Sequence, residues 1–355
     1  MKKLPYWLHG CLGVILVASL VLVGYVPKAT PSPKPKEGWP KAISLGTKPI
    51  GSAPYLRGIG MAKMIEKYTG VTATAEPFTG SMAVQTQMAK GRIEMGIELT
   101  SKDIHDSVRG VDFWSGKKPV QQRLITWGGG GGSPLQIIAR AASGIKSIQD
   151  IRGKRIMCRV PGSKITDLYV FSLFKAMGLD PEKDFKALPS GKRSDIAEML
   201  KEGRADANIR FGRAKESWIT ELVRSTPLTF VSLTDEEGKR CQEVLPTAGF
   251  ATFPAGYQTG MDNPVKWLSL VTGDTILKDV PDSLVYEIVK AIWGHFEEAC
   301  SYHHSMRDFR LDYIGLMPVV PWHAGAIRYF KEIGIWNDEL EQTNQRLLKE
   351  IGQDK

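Results

Sequence analysis

The feature that most constrains this chain is a repeated unit in which a short apolar strand passes through a glycine- or serine-containing turn into a helix. The first copy reads AISL, then GTKPIGSAPY, then an amphipathic helix over Tyr55–Tyr68. Segments 41–127 and 134–262 both open in the order strand, turn, helix, strand, helix, strand. Such alternation predicts an α/β fold with mostly parallel sheets.

Because the unit occurs in two successive segments, we expect two lobes of similar construction. Lobe I would comprise residues 41–130 together with 263–355, since the last strand and helices should pack back on the first segment. Lobe II would comprise residues 131–262. Turns that follow parallel strands gather at the carboxyl edge of a sheet, so we expect a ligand in the crevice between the lobes.

The turns themselves supply the candidate ligand-binding residues. The first N–H groups of a helix lack intrahelical partners and attract anions, and small or hydroxyl residues let a ligand approach them. For a single turn, N-capping is the simpler explanation; four turns placed alike in two lobes make binding an equal alternative. The candidates are Thr47, Gly51, Ser52, Tyr55, Gly80, Ser81, Ser101, Gly162, Ser163 and Thr166.

The motifs of the common enzyme classes are missing. Ser52 and Ala53 stand where a phosphate-binding loop needs Lys and Ser or Thr, and neither G-x-S-x-G nor H-E-x-x-H occurs. Four residues near the end of the chain could ligate a metal: His295, Cys300, His303 and His304. Because they do not share one helix face, surface or capping histidines are the favoured interpretation. We therefore predict no enzyme activity, no metal and no cofactor.

One further cluster keeps an enzymatic alternative open. Asp103, His105 and Asp106 lie close together in the sequence and could act as acid and base, although no nucleophile accompanies them.

The net charge of +9 is concentrated near the N-terminus. The first 38 residues contain five lysines and one acidic residue, so about +5 remains for the rest of the chain, without a Lys/Arg run. Nucleic acid is therefore not an expected partner.

The N-terminus predicts export to the periplasm. Two lysines precede sixteen uncharged residues, Cys11–Val26, so residues 1–26 are typical of a signal peptide, or of an uncleaved inner-membrane anchor. Residues 27–40 are proline-rich and predict a linker. Three cysteines remain beyond it and cannot all pair, which leaves one disulfide or buried thiols as alternatives; they are Cys158, Cys241 and Cys300.

Several stretches, in order over about residues 41–337, carry a resemblance to a known family. They include LGTKPIGSAPY, LKEGRADANIRFG and LMPVVPWHAGAIRYFKEIGIW. The chain resembles the TAXI family of solute receptors of TRAP transporters. The resemblance implies a two-lobed periplasmic-binding-protein-like fold of type II, and membrane subunits of a TRAP transporter as partners. It also implies a small organic anion as ligand: a dicarboxylate, a 2-oxo acid or a glutamate-like acid.

The chain departs from the family pattern at four places. Lys48-Pro49-Ile50 replaces a more glycine-rich turn, Lys102 follows Ser101 where Asp is common, five glycines occupy 128–132, and Arg213-Ala214-Lys215 replaces a proline-containing loop. If Lys102 and Arg213 line the cleft, the ligand should carry more negative charge than a zwitterionic amino acid. The alternative is that both side chains face solvent.

The function expected from these observations is an extracytoplasmic receptor that closes about a hinge on its ligand and delivers it to membrane subunits. The alternatives are a periplasmic sensor partner and an envelope α/β enzyme acting on a small acid. The identity of the ligand, signal cleavage, the coupling ion and the oligomeric state are not determined by the sequence.

Overall fold

The computed structural model describes residues 33–352 except 304, 305, 308, 310, 312, 313 and 316–318, and describes only the backbone of 127–132. The strands are β1 Ala42–Thr47, β2 Thr72–Pro77, β3 Met95–Thr100, β4 Gln122–Arg140, β5 Arg155–Arg159, β6 Lys186–Pro189, β7 Ala207–Phe211, β8 Leu228–Phe230, β9 Gly249–Phe253 and β10 Val265–Leu277. The α-helices are α1 Ala53–Thr69, α2 Ser81–Met88, α3 Ser101–Arg109, α4 Lys164–Ala176, α5 Arg193–Lys201, α6 Ser217–Leu222, α7 Asp235–Val244, α8 Asp282–Gly294, α9 Phe296–Tyr302, α10 Ala324–Glu332 and α11 Asp338–Glu350.

The strands form one path in the order β2-β1-β3-β10-β4-β7-β5-β6, with β8 paired to β4 and β9 paired to β10. Strands β2-β1-β3 are parallel and are called here the first half-sheet. Strands β7-β5-β6 are also parallel and form the second half-sheet. The antiparallel pair β4 and β10 lies between them. The predicted α/β fold class is confirmed.

A separate hydrophobic core lies at each half-sheet. The first core joins Leu45 of β1, Met64 of α1, Ile288 of α8 and Phe330 of α10, all almost fully buried. The helices after β10 therefore belong to the first core. The second core is built from β4, β5, α4, β7, β9 and β10, and its buried side chains include Ile156, Leu173, Phe174 and Trp267.

Strand β4 differs from the sequence-based interpretation. The two segments expected from the sequence, 41–127 and 134–262, place one strand before the glycine run at 128–132 and another after it. In the structure Gln122–Arg140 is a single strand. Gly128 of β4 pairs with Thr272 of β10, and the next paired residues are Ser133 and Leu270. Strand β4 therefore has more residues than β10 between these two pairs. The extra residues of β4 thus form an irregularity where the chain passes between the two half-sheets.

The described part of the proline-rich segment contacts the body of the protein. Trp39 Nε1 donates a hydrogen bond to Ser283 Oγ at 2.8 Å, and Lys36 Nζ lies 2.9 Å from Glu287 Oε1, both on α8. Residues 36–40 are therefore docked rather than a free spacer. The predicted signal segment, residues 1–26, and residues 27–32 lie outside the described residues. Within the described part of the chain, none of the helices combines the length and apolar character needed to cross a bilayer.

Candidate functional site

The carboxyl ends of the two half-sheets face each other across the point where β4 and β10 cross. Thr100, the last residue of β3, pairs with Thr272 of β10, and Phe211, the last residue of β7, pairs with Leu135 of β4. Both partner positions adjoin the irregularity between β4 and β10. The turns that follow the parallel strands therefore meet at this crossing, as the sequence pattern requires.

The first turn, residues 48–52, is closed by its own hydrogen bonds. Ser52 Oγ donates to Pro49 O at 2.6 Å and accepts from Tyr55 N at 3.4 Å, which caps α1. Thr47 Oγ1 donates to Glu76 O at 3.0 Å, and Thr47 is fully buried. Gly51 has a φ of 80°, which favours glycine. The hydroxyls of Thr47 and Ser52 thus already serve the backbone, and Tyr55 is half-buried.

The second turn, which precedes α2, is contacted by Lys48, a cation that was not among the predicted site residues. Helix α2 begins after Gly80 without a side-chain cap. Ser81 Oγ accepts from Thr100 N at 3.2 Å and from Lys48 Nζ, which reaches it from the first turn. Burial lowers the pKa of Lys48 to about 8, although Asp103 opposes the shift. The departure at Lys48-Pro49-Ile50 was the sequence signal for this contact.

A buried polar cluster connects the two cores. Ser101 Oγ, at the start of α3, donates to Thr247 O at 2.7 Å, and Tyr169 OH, on α4, donates to the same oxygen at 3.2 Å. Ser101 and Tyr169 are both fully buried. Burial raises the pKa of the Tyr169 phenol above its ordinary value, so the phenol keeps its proton. The sequence analysis missed Tyr169 and Thr247; Tyr169 lies one helical turn after Thr166.

Lys102 does not present a free charge to the crossing. Its Nζ lies 2.6 Å from both Asp106 Oδ2 and Asp112 Oδ2. His105 Nδ1 lies 3.0 Å from Asp106 Oδ1. Burial alone would raise the pKa of Asp106, but hydrogen bonds from His105 and Lys102 hold it below its ordinary range. Within the predicted acid–base cluster, Asp106 is thus held by Lys102 and His105, and Asp103 accepts a hydrogen bond from Thr100 Oγ1.

The second half-sheet contributes a smaller set of candidates. Gly162 has a φ of 78° in the turn before α4, and the hydroxyls of Ser163 and Thr166 lie 2.7 Å apart. Arg213 follows β7 and is exposed. Its carbonyl accepts from Gln136 Nε2 at 3.3 Å and from Gln258 Nε2, which anchors the loop. Among the described residues, the guanidinium of Arg213 makes no ion pair.

Two surface grooves lie elsewhere, and none of the predicted site residues lines either of them. One, of about 560 Å³, is lined by Pro40, Met88 and Leu277 among others. The other, of about 410 Å³, surrounds Trp322 and His323.

The described residues give no support to a metal site, and the three cysteines beyond the linker are unpaired. Within the residues that the structure describes, no three His, Cys, Asp or Glu side chains are grouped so as to hold a metal ion; His304 lies outside them. Cys158, Cys241 and Cys300 are buried free thiols. Burial raises the pKa of the Cys158 and Cys241 thiols to about 12, so neither is a reactive thiolate.

Comparison with known proteins places this architecture in a family. The model of the NMT1-like family matches residues 45–334, which is most of the chain. The chain belongs to the NMT1-like family. The matched residues of this NMT1-like protein include the crossing strands and, except for the first three residues of β1, both half-sheets.

Solved structures resemble the NMT1-like chain in fold. They include a TctC solute-binding protein from Polaromonas, at 13% identity over 88% of this chain and 95% of that one, with a TM-score of 0.48. A TRAP periplasmic solute-binding protein from Rhodobacter sphaeroides has 12% identity over 88% and 99%, with a TM-score of 0.41. The aliphatic sulphonate binding protein SsuA from Escherichia coli has 12% identity over 85% and 91%, with a TM-score of 0.42. All three are named as binding proteins, and the likeness concerns the fold alone.

Proposed function

We propose that this NMT1-like protein is an extracytoplasmic solute receptor of a TRAP-type transporter, of the TAXI kind. Its ligand is a small organic anion: a dicarboxylate, a 2-oxo acid or a glutamate-like acid. The observation that carries the proposal is the meeting of the two carboxyl edges at the crossing of β4 and β10. Helix N-termini and hydroxyl side chains from both half-sheets converge there, which suits an anionic ligand.

In this proposal the two cores are the centres of two lobes. Lobe I comprises 41–130 and 263–355, and lobe II comprises 131–262. Only β4 and β10 continue from one half-sheet to the other among the described strands. Rotation about these two strands closes the lobes on the ligand, and the ligand shifts the population towards the closed form.

The proposed contacts come from both edges. Ligand oxygens accept hydrogen bonds from the turns, and Arg213 adds a positive charge that no described acid neutralises. The Lys102 ammonium is not among the proposed contacts, because Asp106 and Asp112 already neutralise it. The proposed residues are Thr47, Gly51, Ser52, Tyr55, Gly80, Ser81 and Ser101 from lobe I, and Gly162, Ser163, Thr166 and Arg213 from lobe II.

The proposed setting is the periplasm. Residues 1–26 direct export, as a cleaved signal or a retained anchor, and the closed receptor docks on the membrane subunits of the transporter. Co-purification of the tagged receptor with those subunits, stronger with ligand than without, is the expected result. Equal capture with and without ligand would contradict delivery by the closed form.

Ligand-dependent thermal unfolding tests the receptor function. The protein, freed of bound ligand by unfolding and refolding, is scanned against dicarboxylates, 2-oxo acids, amino acids and sugars. A ligand at 100 times its dissociation constant adds about 2.7 kcal/mol to the free energy of unfolding, which raises the midpoint measurably. A shift with organic acids only is expected, with the acid recovered unchanged. Conversion of the acid, or a shift with sugars alone, would overturn the proposal.

A further inference from the structure

Lys48 is placed where a lysine has little structural reason to be. It follows β1 directly, in the turn that precedes α1, and its half-buried side chain reaches the start of α2. Its ammonium donates to Ser81 Oγ, a neutral acceptor, and Ser81 is only 4% exposed. No carboxylate of the described residues forms an ion pair with it.

Asp103, the acidic side chain that acts on the Lys48 charge, is committed to another partner. Asp103 Oδ2 accepts from Thr100 Oγ1 at 2.7 Å, and Asp103 N donates to the same hydroxyl oxygen at 3.3 Å, so Thr100 and Asp103 together form the cap of α3. Asp103 offsets the burial of Lys48 only in part, since burial still lowers the pKa of Lys48. A half-buried ammonium loses part of its hydration, and no ion pair with a described carboxylate compensates for that loss.

The start of α2 is also incompletely satisfied. No side chain caps the helix, so its first-turn amides point towards the region that the Lys48 ammonium faces. Behind them, Gln85 lies one turn further along the same face and is fully buried. Neither its amide nitrogen nor its amide oxygen has a partner among the described residues. Near the start of α2 there are thus an ammonium without a paired anion, a helix without a side-chain cap and a buried amide without a partner among the described residues.

We propose that the Lys48 ammonium and the first-turn amides of α2 bind the acid group of the ligand, which makes Lys48 the residue that restricts this receptor to anions. The inference rests on the proposed function and deepens it. The ligand carries a fully ionised oxyanion group at neutral pH, and an amide or alcohol of the same size is rejected. An oxyanion fits because it accepts from an ammonium and from several N–H groups at once.

The test compares variants that keep and remove the charge. Lys48→Gln, Lys48→Arg and the control Lys90→Gln are titrated calorimetrically with the acid that stabilises the wild-type protein, and with its neutral amide. Lys90 is exposed at the opposite end of α2, so its substitution removes the same charge without touching the site. We expect Lys48→Gln to lower the affinity for the acid at least tenfold, Lys48→Arg to lower it less, and Lys90→Gln to leave it unchanged.

The pH dependence gives a second readout that a merely structural role would not produce. Because the free ammonium loses its proton above about pH 8, binding of the acid at pH 8.5 should take up protons. Its enthalpy should then depend on the ionisation enthalpy of the buffer. This proton uptake should disappear in Lys48→Gln, whose unfolding midpoint is measured to establish that it is folded.

The outcomes separate this inference from the proposed function. If Lys48→Gln binds the acid as tightly as the wild-type protein, with the same proton uptake, the assignment of Lys48 is wrong while the receptor function stands. If the wild-type protein binds its acid and the neutral amide equally well, the restriction to anions is wrong. If the wild-type protein binds none of the acids, the proposed function and this inference both fall.

Discussion

Asp274 provides the sharpest test of how this structure is stabilised. It lies in β10 beside the irregular pairing with β3 and is fully buried. Its Oδ1 accepts a hydrogen bond from Glu98 N at 2.6 Å, and its Oδ2 has no partner among the described residues. Arg57, which pairs with Glu98, offsets the burial only in part. Burial therefore raises the pKa of the Asp274 carboxyl to about 7.

The sign and size of the effect follow from proton linkage. In the unfolded chain this carboxyl loses its proton near pH 4, whereas in the folded protein it keeps the proton to about pH 7. The folded state thus binds more protons between these values, and its stability falls as the pH rises through this window. About three pH units correspond to about 4 kcal/mol as an upper bound.

The substitution Asp274→Asn removes the titration and keeps an oxygen that can accept from Glu98 N. Urea unfolding of both proteins is measured from pH 4.5 to 8, and the difference in free energy of unfolding cancels the groups that they share. We expect Asp274→Asn to gain stability relative to the wild-type protein as the pH rises, by up to about 4 kcal/mol. The exposed Asp262→Asn is the control. A pH-independent difference for Asp274→Asn would refute the reasoning.

Three further predictions concern the site and its support. In calorimetric titration, Lys102→Ala should change ligand affinity less than twofold. Arg213→Ala should lower the affinity about tenfold, because a charge-assisted hydrogen bond contributes about 1.5–3 kcal/mol. Equal effects of the two substitutions would contradict the assigned roles. Tyr169→Phe should lower the free energy of unfolding by about 1 kcal/mol, because Thr247 O keeps only one of its two donors; an unchanged urea midpoint would refute the bond. Gly46→Ala should cost about 1–3 kcal/mol in the same assay, because its Cβ would lie 2.5 Å from a Val84 methyl; a neutral result would show that α2 yields.

The predictions from sequence succeeded where short-range pattern decides structure. The period of apolar residues predicted the helix that became α1, Ala53–Thr69, and the alternating strand that became β2, Thr72–Pro77. Ser52 was recognised as a possible cap, and it caps α1. These features depend on neighbours within about four residues in the sequence, so they do not depend on where the segment lies in the tertiary structure.

Long-range features were accessible only through the tertiary structure. The glycine run suggested a break, yet pairing with β10 makes β4 continuous, because a strand is defined by its partner as much as by its own residues. The charge of Lys102 was expected to serve the ligand, but Asp112, ten residues away, lies beside it in the fold.

The sequence by itself therefore determined local elements such as α1, β2 and the cap at Ser52, since propensity and periodicity are local. Only the tertiary structure decided which polar groups remain without partners at the crossing. In the sequence, Lys48 resembles an ordinary surface lysine. Only the packing of α2 against the end of β1 places its half-buried ammonium against Ser81. Burial and charge compensation depend on groups far apart in the chain, and only folding brings those groups together.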